Sequence, residues 1–460
     1  MTNQFAGKNS QAQLTVEELK QKVATGEIDT VVVAITDSLG RLQGKRCGAR
    51  SFLEDVLGHG AEGCNYLLSV DVEMNTVDGY AMSSWANGYG DMVMRPDVST
   101  LRLVPWLEGT AMVQCDILWL DGRPVTQSPR QILRAQIERL ETLGYRAHIG
   151  TELEFIMFDD SYAEAWDKQY VGLKPSTRYN VDYSLLATAG LEPVIRDIRN
   201  SMESAGLVVE SSKGECNHGQ QEITFRYAEA LQACDGHAFY KNGAKEIAGK
   251  HGKSITFMAK YNEREGSSCH IHFSLTDLDG NPVLAGDGEH GFSPVMEHFV
   301  AGQLAAMKEL SYFLAPNINS YKRFVEGSFA PTAIAWGLDN RSCALRIVGR
   351  GPGLRVENRV GGGDVNPYLA AAALIAAAIH GIENELPLES IMVGNAYEST
   401  ADRIPTALRD SRALLVNSEI ARKSFGDEVV DHYVHAADVE LKAFDSAVTD
   451  WEHKRGFERL

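Results

Sequence analysis

Residues 150–158 read GTELEFIMF, with Glu152 and Glu154 two apart in a run that otherwise has the composition of a buried strand. Side chains two apart on a strand share a face. Both carboxylates therefore project together, while Leu153, Phe155 and Met157 take the other side. Taken singly, two acids on a strand face are most often solvated surface. Similar segments accumulate along the chain, however. VVESSKGECNHGQQEITF (208–225) supplies Glu210, Glu215 and Glu222, with Gly219 permitting close backbone approach. GSSCHIHFSL (266–275) sets His270 and His272 on one strand face, with Ile271 and Phe273 on the other. RVENRVGGG (355–363) alternates Arg355, Glu357 and Arg359, and Lys322, Arg323, Arg341 and Arg346 concentrate further positive charge just before it.

Carboxylates on several strands with an imidazole, and no cysteine pair among them, suit Mg²⁺ or Mn²⁺ better than structural zinc. Arginine forks suit phosphates and carboxylates. Divalent ions beside arginines are the equipment for phosphoryl transfer from ATP, with the metals bridging phosphate oxygens and the arginines neutralising the transferred charge. These residue types therefore predict a metal- and nucleotide-dependent enzyme.

The whole-chain totals are consistent with that reading. The protein has 460 residues, 44% hydrophobic and 23% charged, with a net charge of −18. A nucleic-acid or anionic-membrane binder would have a basic footprint, so neither partner is expected. The N-terminal MTNQFAGKNSQAQ is polar and lacks the apolar core of a secretory leader. The seven cysteines are scattered, with no C-x-x-C pair, as in a protein of a reducing compartment. A cytoplasmic location is expected. The most apolar stretch, YLAAAALIAAAIHGI (368–382), is too short to span a bilayer and reads as a buried core helix.

These functional segments must be held by strands and helices. TVEELKQKVATG (15–26) reads as a short capped helix, and TVVVAITDSLGRLQGKRC (30–47) as two strands around a turn at 37–40. A long polar stretch follows to about residue 95, then strands over 99–122. From Ser128 the pattern changes, with helices at PRQILRAQIERLETLG (129–144) and near 190–206, 229–252, 293–314, 366–384, 405–425 and 428–450. Strands fall near 147–158, 207–210, 220–227, 254–260, 269–275, 333–348 and 354–360. Long strands interleaved with helices predict an α+β fold, not a doubly wound parallel sheet. The Gly-rich GRGPG and GGG loops match neither a Walker A nor a dinucleotide fingerprint.

TELEF, GECNHGQQE, KSITFMAKYN, GSSCHIHFSL, APNINSYKRF, NRSCALRI, RVENR and NPYLAAAALIAAAI, in this order, resemble the glutamine synthetase family of the bacterial dodecameric type over nearly the whole chain. The resemblance implies an N-terminal tail and helix (1–27), a β-grasp domain (28–124) and a catalytic domain (128–460). It implies a first metal site at Glu154, Glu215 and Glu222, and a second at Glu152, His270 and Glu357. His272 and Ser274 would contact ATP, with Glu210, Arg341, Arg346 and Arg355 nearby. Gly266, Arg323 and Arg359 would hold glutamate, and Arg341 and Arg359 would be the catalytic arginines. The family reaction forms an acyl phosphate on the glutamate γ-carboxylate, which a nitrogen nucleophile then attacks. The assembly implied is a homododecamer of two stacked hexameric rings, with active sites between neighbouring subunits.

The departures from the family pattern bear on the nucleophile. Glutamine synthetases proper carry an FDGSS-like stretch whose Asp helps bind ammonium; here the region reads YLLSVDVEMNTVDGYA (66–81), with Asp71 the nearest stand-in. A flap that carries a glutamate in the family reads GSFAP, placing Phe329 there, and Glu265 stands where an Asn usually precedes the substrate-binding glycine. An aromatic side chain in place of an anion suits a larger, partly apolar amine. The chain thus looks like the γ-glutamyl-amine ligase branch, most like its ethanolamine-type members. A putrescine- or spermidine-using enzyme, with Glu265 or Glu326 as the additional acid, and a glutamine synthetase using ammonium are the alternatives. Inactivity is disfavoured because all six metal positions are filled. Tyr397, in GNAYES, lacks the surroundings of the family's adenylylation site and is expected to be a packing or surface residue.

Overall fold

The computed structural model describes residues 13–460. The expected tail at 1–12 lies outside the described residues, and the expected helix is present at Val16–Ala24, capped by Thr15 and Glu18.

The N-terminal part is a mixed sheet of β1 (Thr30–Thr36), β2 (Leu42–Gly48), β3 (Ala61–Cys64), β4 (Asp91–Pro96), β5 (Arg102–Leu103) and β6 (Thr110–Trp119). Its order is β2-β1-β6-β4-β3, with β5 on β6, and β1 and β6 run parallel at its centre. β1 and β2 form the expected hairpin around Asp37–Gly40, where Asp37 accepts backbone N–H bonds from Leu39 and Arg41 and Gly40 takes a positive φ of 80°. The long polar stretch up to about residue 95 is more ordered than its composition suggests. It holds a helical segment over 49–59 as well as β3 and β4. Phe52, Met92 and Met94 are the reason, since they pack into the core of this sheet.

The larger sheet contains β7 (Tyr145–Phe158), β8 (Val209–Gly214), β9 (Gln220–Phe225), β10 (Ala228–Glu229), β11 (Ser254–Thr256), β12 (Cys269–Asp277), β13 (Trp336–Leu338), β14 (Leu345–Val348) and β15 (Arg355–Asn358). Its order is β13-β14-β15-β12-β7-β9-β8, with β10 and β11 also pairing β7. Every pairing is antiparallel except β13 with β14. The strand expected over 333–348 is broken into β13 and β14 by a turn at 339–344, because Asn340 caps that turn by accepting from the Ser342 backbone N–H and hydroxyl. The helix expected over 405–425 is likewise two, Leu408–Val416 and Glu419–Phe425, since the Ser418 hydroxyl caps a new helix start.

Helices Pro129–Thr142 and Ala230–Lys250 lie against β7, and Pro367–Glu383 packs on both of them and on Pro294–Ala306. Pro367–Glu383 is the Ala-rich stretch expected to be core, and nearly all of it is buried. Small side chains let its neighbours approach closely: a Cβ on Gly302 would lie 2.2 Å from the Ala377 carbonyl oxygen. No helix among the described residues is long and apolar enough to cross a membrane. All seven cysteines are free.

Candidate active site

Strand register gathers the charged residues onto one face of the large sheet. In antiparallel pairs, directly opposed residues project to the same side. Across β8, β9 and β7, Lys213 opposes Glu222, and Glu222 opposes Glu154. Across β7 and β12, Glu152 opposes His270. Across β12, β15 and β14, His272 opposes Glu357, and Glu357 opposes Arg346. The alternate residues Leu153, Phe155, Ile223, Ile271, Phe273 and Val356 are all but fully buried in the main hydrophobic core. Glu152 and Glu154 share a strand face because that face is the floor of this site and the opposite one is the core.

Two groups of potential metal ligands stand out. Glu154, Glu215 and Glu222 have ligand atoms within 4.8 Å of one another, and so do Glu152, His272 and Glu357. Glu154 is buried and accepts bonds from Gln220 Nε2 (2.8 Å), the Ser268 backbone N–H (2.8 Å) and the Ser268 hydroxyl (2.6 Å). Burial, followed by the neighbouring Glu215 carboxylate, pushes its carboxyl up to about 7. Burial and then the carboxylates of Glu154 and Glu152 push Glu222 up to about 9. Three converging acids that resist ionisation together form a donor set suited to a divalent ion with oxygen ligands.

In the second group, the hydrogen bonds separate the two histidines. Arg355 Nε donates to His272 Nδ1 at 3.1 Å, so that nitrogen must be the acceptor. His272 Nε2 then carries the proton and faces Glu152 Oε1 at 2.8 Å. Both nitrogens of His272 are thereby engaged. His270 Nδ1 instead looks toward both carboxylates, 3.5 Å from Glu152 and 3.6 Å from Glu357. Burial and then the Arg359 guanidinium push His270 down to about 4, leaving a neutral imidazole near pH 7. Glu152 stays ionised: burial opposes it, but the bonds from His270 and His272 prevail and hold it well below the carboxylate range. Glu357 is fully buried and carries two arginines, Arg346 at 2.6 Å and Arg359 in a close contact.

Beside this group lies a cavity of about 280 Å³. Glu210, His272, Ser274 and Arg355 line it, four of the residues expected near ATP, together with Tyr227 and Gly353. Glu210 reaches it through a bulge: Val209 pairs with Phe225 and Ser211 with Thr224, so Glu210 is the extra residue and is re-aimed.

The glutamate-binding candidates sit together at the other end. Arg323 is buried and its Nη2 donates to the carbonyls of Arg359, Val360 and Gly361. Gly266 lies against it: a Cβ there would fall 2.4 Å from the Ala259 carbonyl oxygen and 2.6 Å from Arg323 Cγ. Arg359 donates to the Phe329 carbonyl at 3.2 Å and so ties the flap to the site. Phe329 has a φ of 61°, a rare conformation for an aromatic residue, and the residue is 60% exposed. The Tyr397 hydroxyl donates to the Ala330 carbonyl at 3.0 Å, a packing role that staples the same flap.

Arg341 is the expected residue the structure does not bring in. The capped turn between β13 and β14 leaves it exposed, with no ion pair among the described residues. Asp71 spends its carboxylate on the Glu73 and Asn75 backbone amides of its own turn. Sequence reasoning did not single out Gln220, Ser268, Lys213 or Asp182. Gln220 and Ser268 adjoin predicted ligands within quoted motifs, so their proximity was available. Lys213 could be found only from the β8–β9 register.

A family model described as glutamine synthetase, catalytic domain, matches residues 126–456. A gamma-glutamylethanolamide synthetase of Streptomyces coelicolor is 62% identical over 447 residues, covering 97% of this chain and 96% of that protein. A glutamate–isopropylamine ligase of a Pseudomonas species is 41% identical over 434 residues, covering 93% and 95%. Among solved structures, a GmaS complex with ADP superposes with a TM-score of 0.85 at 27% identity, covering 96% of this chain and 99% of that one.

Proposed function

The chain belongs to the glutamine synthetase family, and from that premise we propose that it is an ATP-dependent ligase joining the γ-carboxylate of L-glutamate to a primary amine, with ethanolamine the favoured amine. The observation that carries this reading is the 62% identity, across nearly the full length of both chains, to a gamma-glutamylethanolamide synthetase. The glutamate–isopropylamine ligase, at 41%, supports an organic amine as the nucleophile in this part of the family. Phe329 in the flap supports the same choice, because an aromatic group in place of an anion disfavours ammonium.

In this reading Glu154, Glu215 and Glu222 hold one divalent ion, and Glu152, His270 and Glu357 hold the other. Mg²⁺ or Mn²⁺ held there would supply positive charge to offset that of the ATP phosphates and of the transferred group. The cavity lined by Glu210, His272, Ser274 and Arg355 takes the nucleotide, and Arg346 lies beside it on Glu357. Arg323, Gly266 and Arg359 orient glutamate. The γ-carboxylate oxygen attacks the γ-phosphorus of ATP, ADP leaves, and a γ-glutamyl phosphate forms. The amine nitrogen then attacks the acyl carbon, phosphate leaves, and the nitrogen gives up a proton to an acidic side chain of the site. Arg359 reaches both Glu357 and the flap, a position suited to following the charge on the transferred group. Arg341 would serve as the second catalytic arginine only after its turn closes over a bound nucleotide.

The same proposal takes residues 28–124 as the β-grasp domain and 128–460 as the catalytic domain, working in the cytoplasm as a homododecamer of two stacked hexameric rings. The test is phosphate release from ATP with glutamate, Mg²⁺ and a panel of ammonium, ethanolamine, isopropylamine, putrescine and spermidine, with the product weighed by mass spectrometry. Selective stimulation by ethanolamine and a glutamylethanolamide product are expected. Stimulation by ammonium alone would make this a glutamine synthetase.

A further inference from the structure

The ammonium of Lys213 sits among Glu154, Glu215 and Glu222, while the Arg323 guanidinium acts on Glu154 from the other side of the site. Lys213 forms a close ion pair with Glu215, and its strand position faces Glu222 directly. A second carboxylate waits beside it: Asp182 Oδ1 lies 3.8 Å from Lys213 Nζ. The same ammonium stands 4.7 Å from the centre of the Tyr183 ring, within cation–π range. Glu215 belongs to both neighbourhoods, since its ligand atoms lie within 4.8 Å of those of Glu154 and Glu222 on one side and of Asp182 and Cys216 on the other.

The backbone fixes this geometry. A Cβ on Gly214 would lie 2.6 Å from the Val181 carbonyl oxygen, so the end of β8 and the 181–184 loop are in direct contact. The Tyr183 N–H donates to the Gly214 carbonyl at 3.4 Å, and Tyr183 is held at a φ of 54°. The backbone of Asp182 and Tyr183 is therefore held against the end of β8. A lysine with four rotatable bonds can move from Glu215 to Asp182 without any backbone change.

We propose that Lys213 is the resident counter-ion of the first acidic triad, a positioning residue that neutralises Glu215 while no metal is bound and passes to Asp182, over the Tyr183 ring, when a divalent ion takes Glu215. The proposal rests on the reading of Glu154, Glu215 and Glu222 as a metal site. An ammonium and a divalent ion compete for the same Glu215 oxygens and repel one another at this range. Lys213 therefore sets the metal affinity below that of the bare carboxylates, and it holds the site together between loadings. Asp182 moderates the competition by giving the displaced ammonium an anionic partner.

The test is calorimetric titration of Mn²⁺ into the full-length protein, paired with thermal unfolding in EDTA. Lys213→Met should bind Mn²⁺ about tenfold more tightly than the wild type, yet melt at a lower temperature in EDTA. Lys213→Arg keeps the charge and should restore the metal-free melting temperature. Asp182→Asn, whose turn is retained, should bind Mn²⁺ several-fold more weakly. Glu222→Gln reports on the triad itself. If Glu222→Gln weakens Mn²⁺ binding while Lys213→Met leaves it unchanged or weaker, the role of Lys213 is overturned alone. If Glu222→Gln has no effect on Mn²⁺ binding, the triad is not a metal site and the proposal fails with it.

Discussion

Glu154 and Glu222 stand directly opposite one another across β7 and β9, both buried, with their carboxyl groups on the same face of the sheet. Burial and then the Glu215 carboxylate raise Glu154 to about 7, and burial and then the Glu154 and Glu152 carboxylates raise Glu222 to about 9. A carboxyl whose folded-state pKa lies above its unfolded value binds its proton more tightly in the fold. The stability this contributes is complete at low pH and is lost as pH rises through the folded value. Protein stripped of divalent ions should therefore lose thermal stability from about pH 4.5, the ordinary carboxyl value, up to about pH 9, most steeply below about pH 7, where both groups contribute. Saturating Mg²⁺ or Mn²⁺ should flatten that slope and raise the melting temperature. Unfolding scans in EDTA and in metal across this range decide it, and a flat, metal-insensitive profile would contradict the metal assignment.

Glu357 neutralises two arginines from a fully buried position. Glu357→Ala leaves Arg346 and Arg359 facing each other without it, and removal of one partner of a buried ion pair typically costs about 3–5 kcal/mol. Denaturant unfolding should show a loss of that order, together with loss of turnover. A stable, folded and active Glu357→Ala protein would remove the residue from both roles.

Gly266 is in contact with Arg323. A single methyl group there must displace either the Ala259 carbonyl or the arginine stem. Gly266→Ala should reduce kcat/KM for glutamate by roughly ten- to a hundredfold, as misplacement of a substrate-orienting group by about 1 Å does. The KM for ATP should change little, because the cavity proposed for the nucleotide is lined by Glu210, His272, Ser274 and Arg355. Equal loss toward both substrates would place Gly266 in general packing.

Phe329 lies in a flap that Arg359 and Tyr397 hold from both sides. Phe329→Glu returns an anion to that flap and should shift the ratio of ammonium to ethanolamine turnover toward ammonium by an order of magnitude or more. Phosphate release with each amine measures the ratio. An unchanged ratio would mean that amine choice is made elsewhere, for instance by residues brought in from a neighbouring subunit.

Much of this protein was legible in the sequence because period-2 alternation with apolar partners is a local property. TELEF, CHIHFS and RVEN each announce a strand with one charged and one apolar face, and the Ala-rich stretch at 368–382 announces a buried helix. The motif order was sufficient to name the family. Pairing is not local. That Lys213 opposes Glu222, that Glu222 opposes Glu154, and that His272 rather than His270 is tied to Arg355 depend on which strands become neighbours and in what register, and a slip of one residue would turn each side chain to the other face. The order of segment 49–64 was not legible, because it comes from Phe52 and Ala61 packing on a sheet built from distant residues, not from its own composition. The residue types by themselves determined which acids and histidines are candidate metal ligands, where the arginines concentrate, and that the flap carries Phe329 in place of an anion. Only the tertiary structure decided which acids share a site, which cation lies among them, and that Arg341 remains outside.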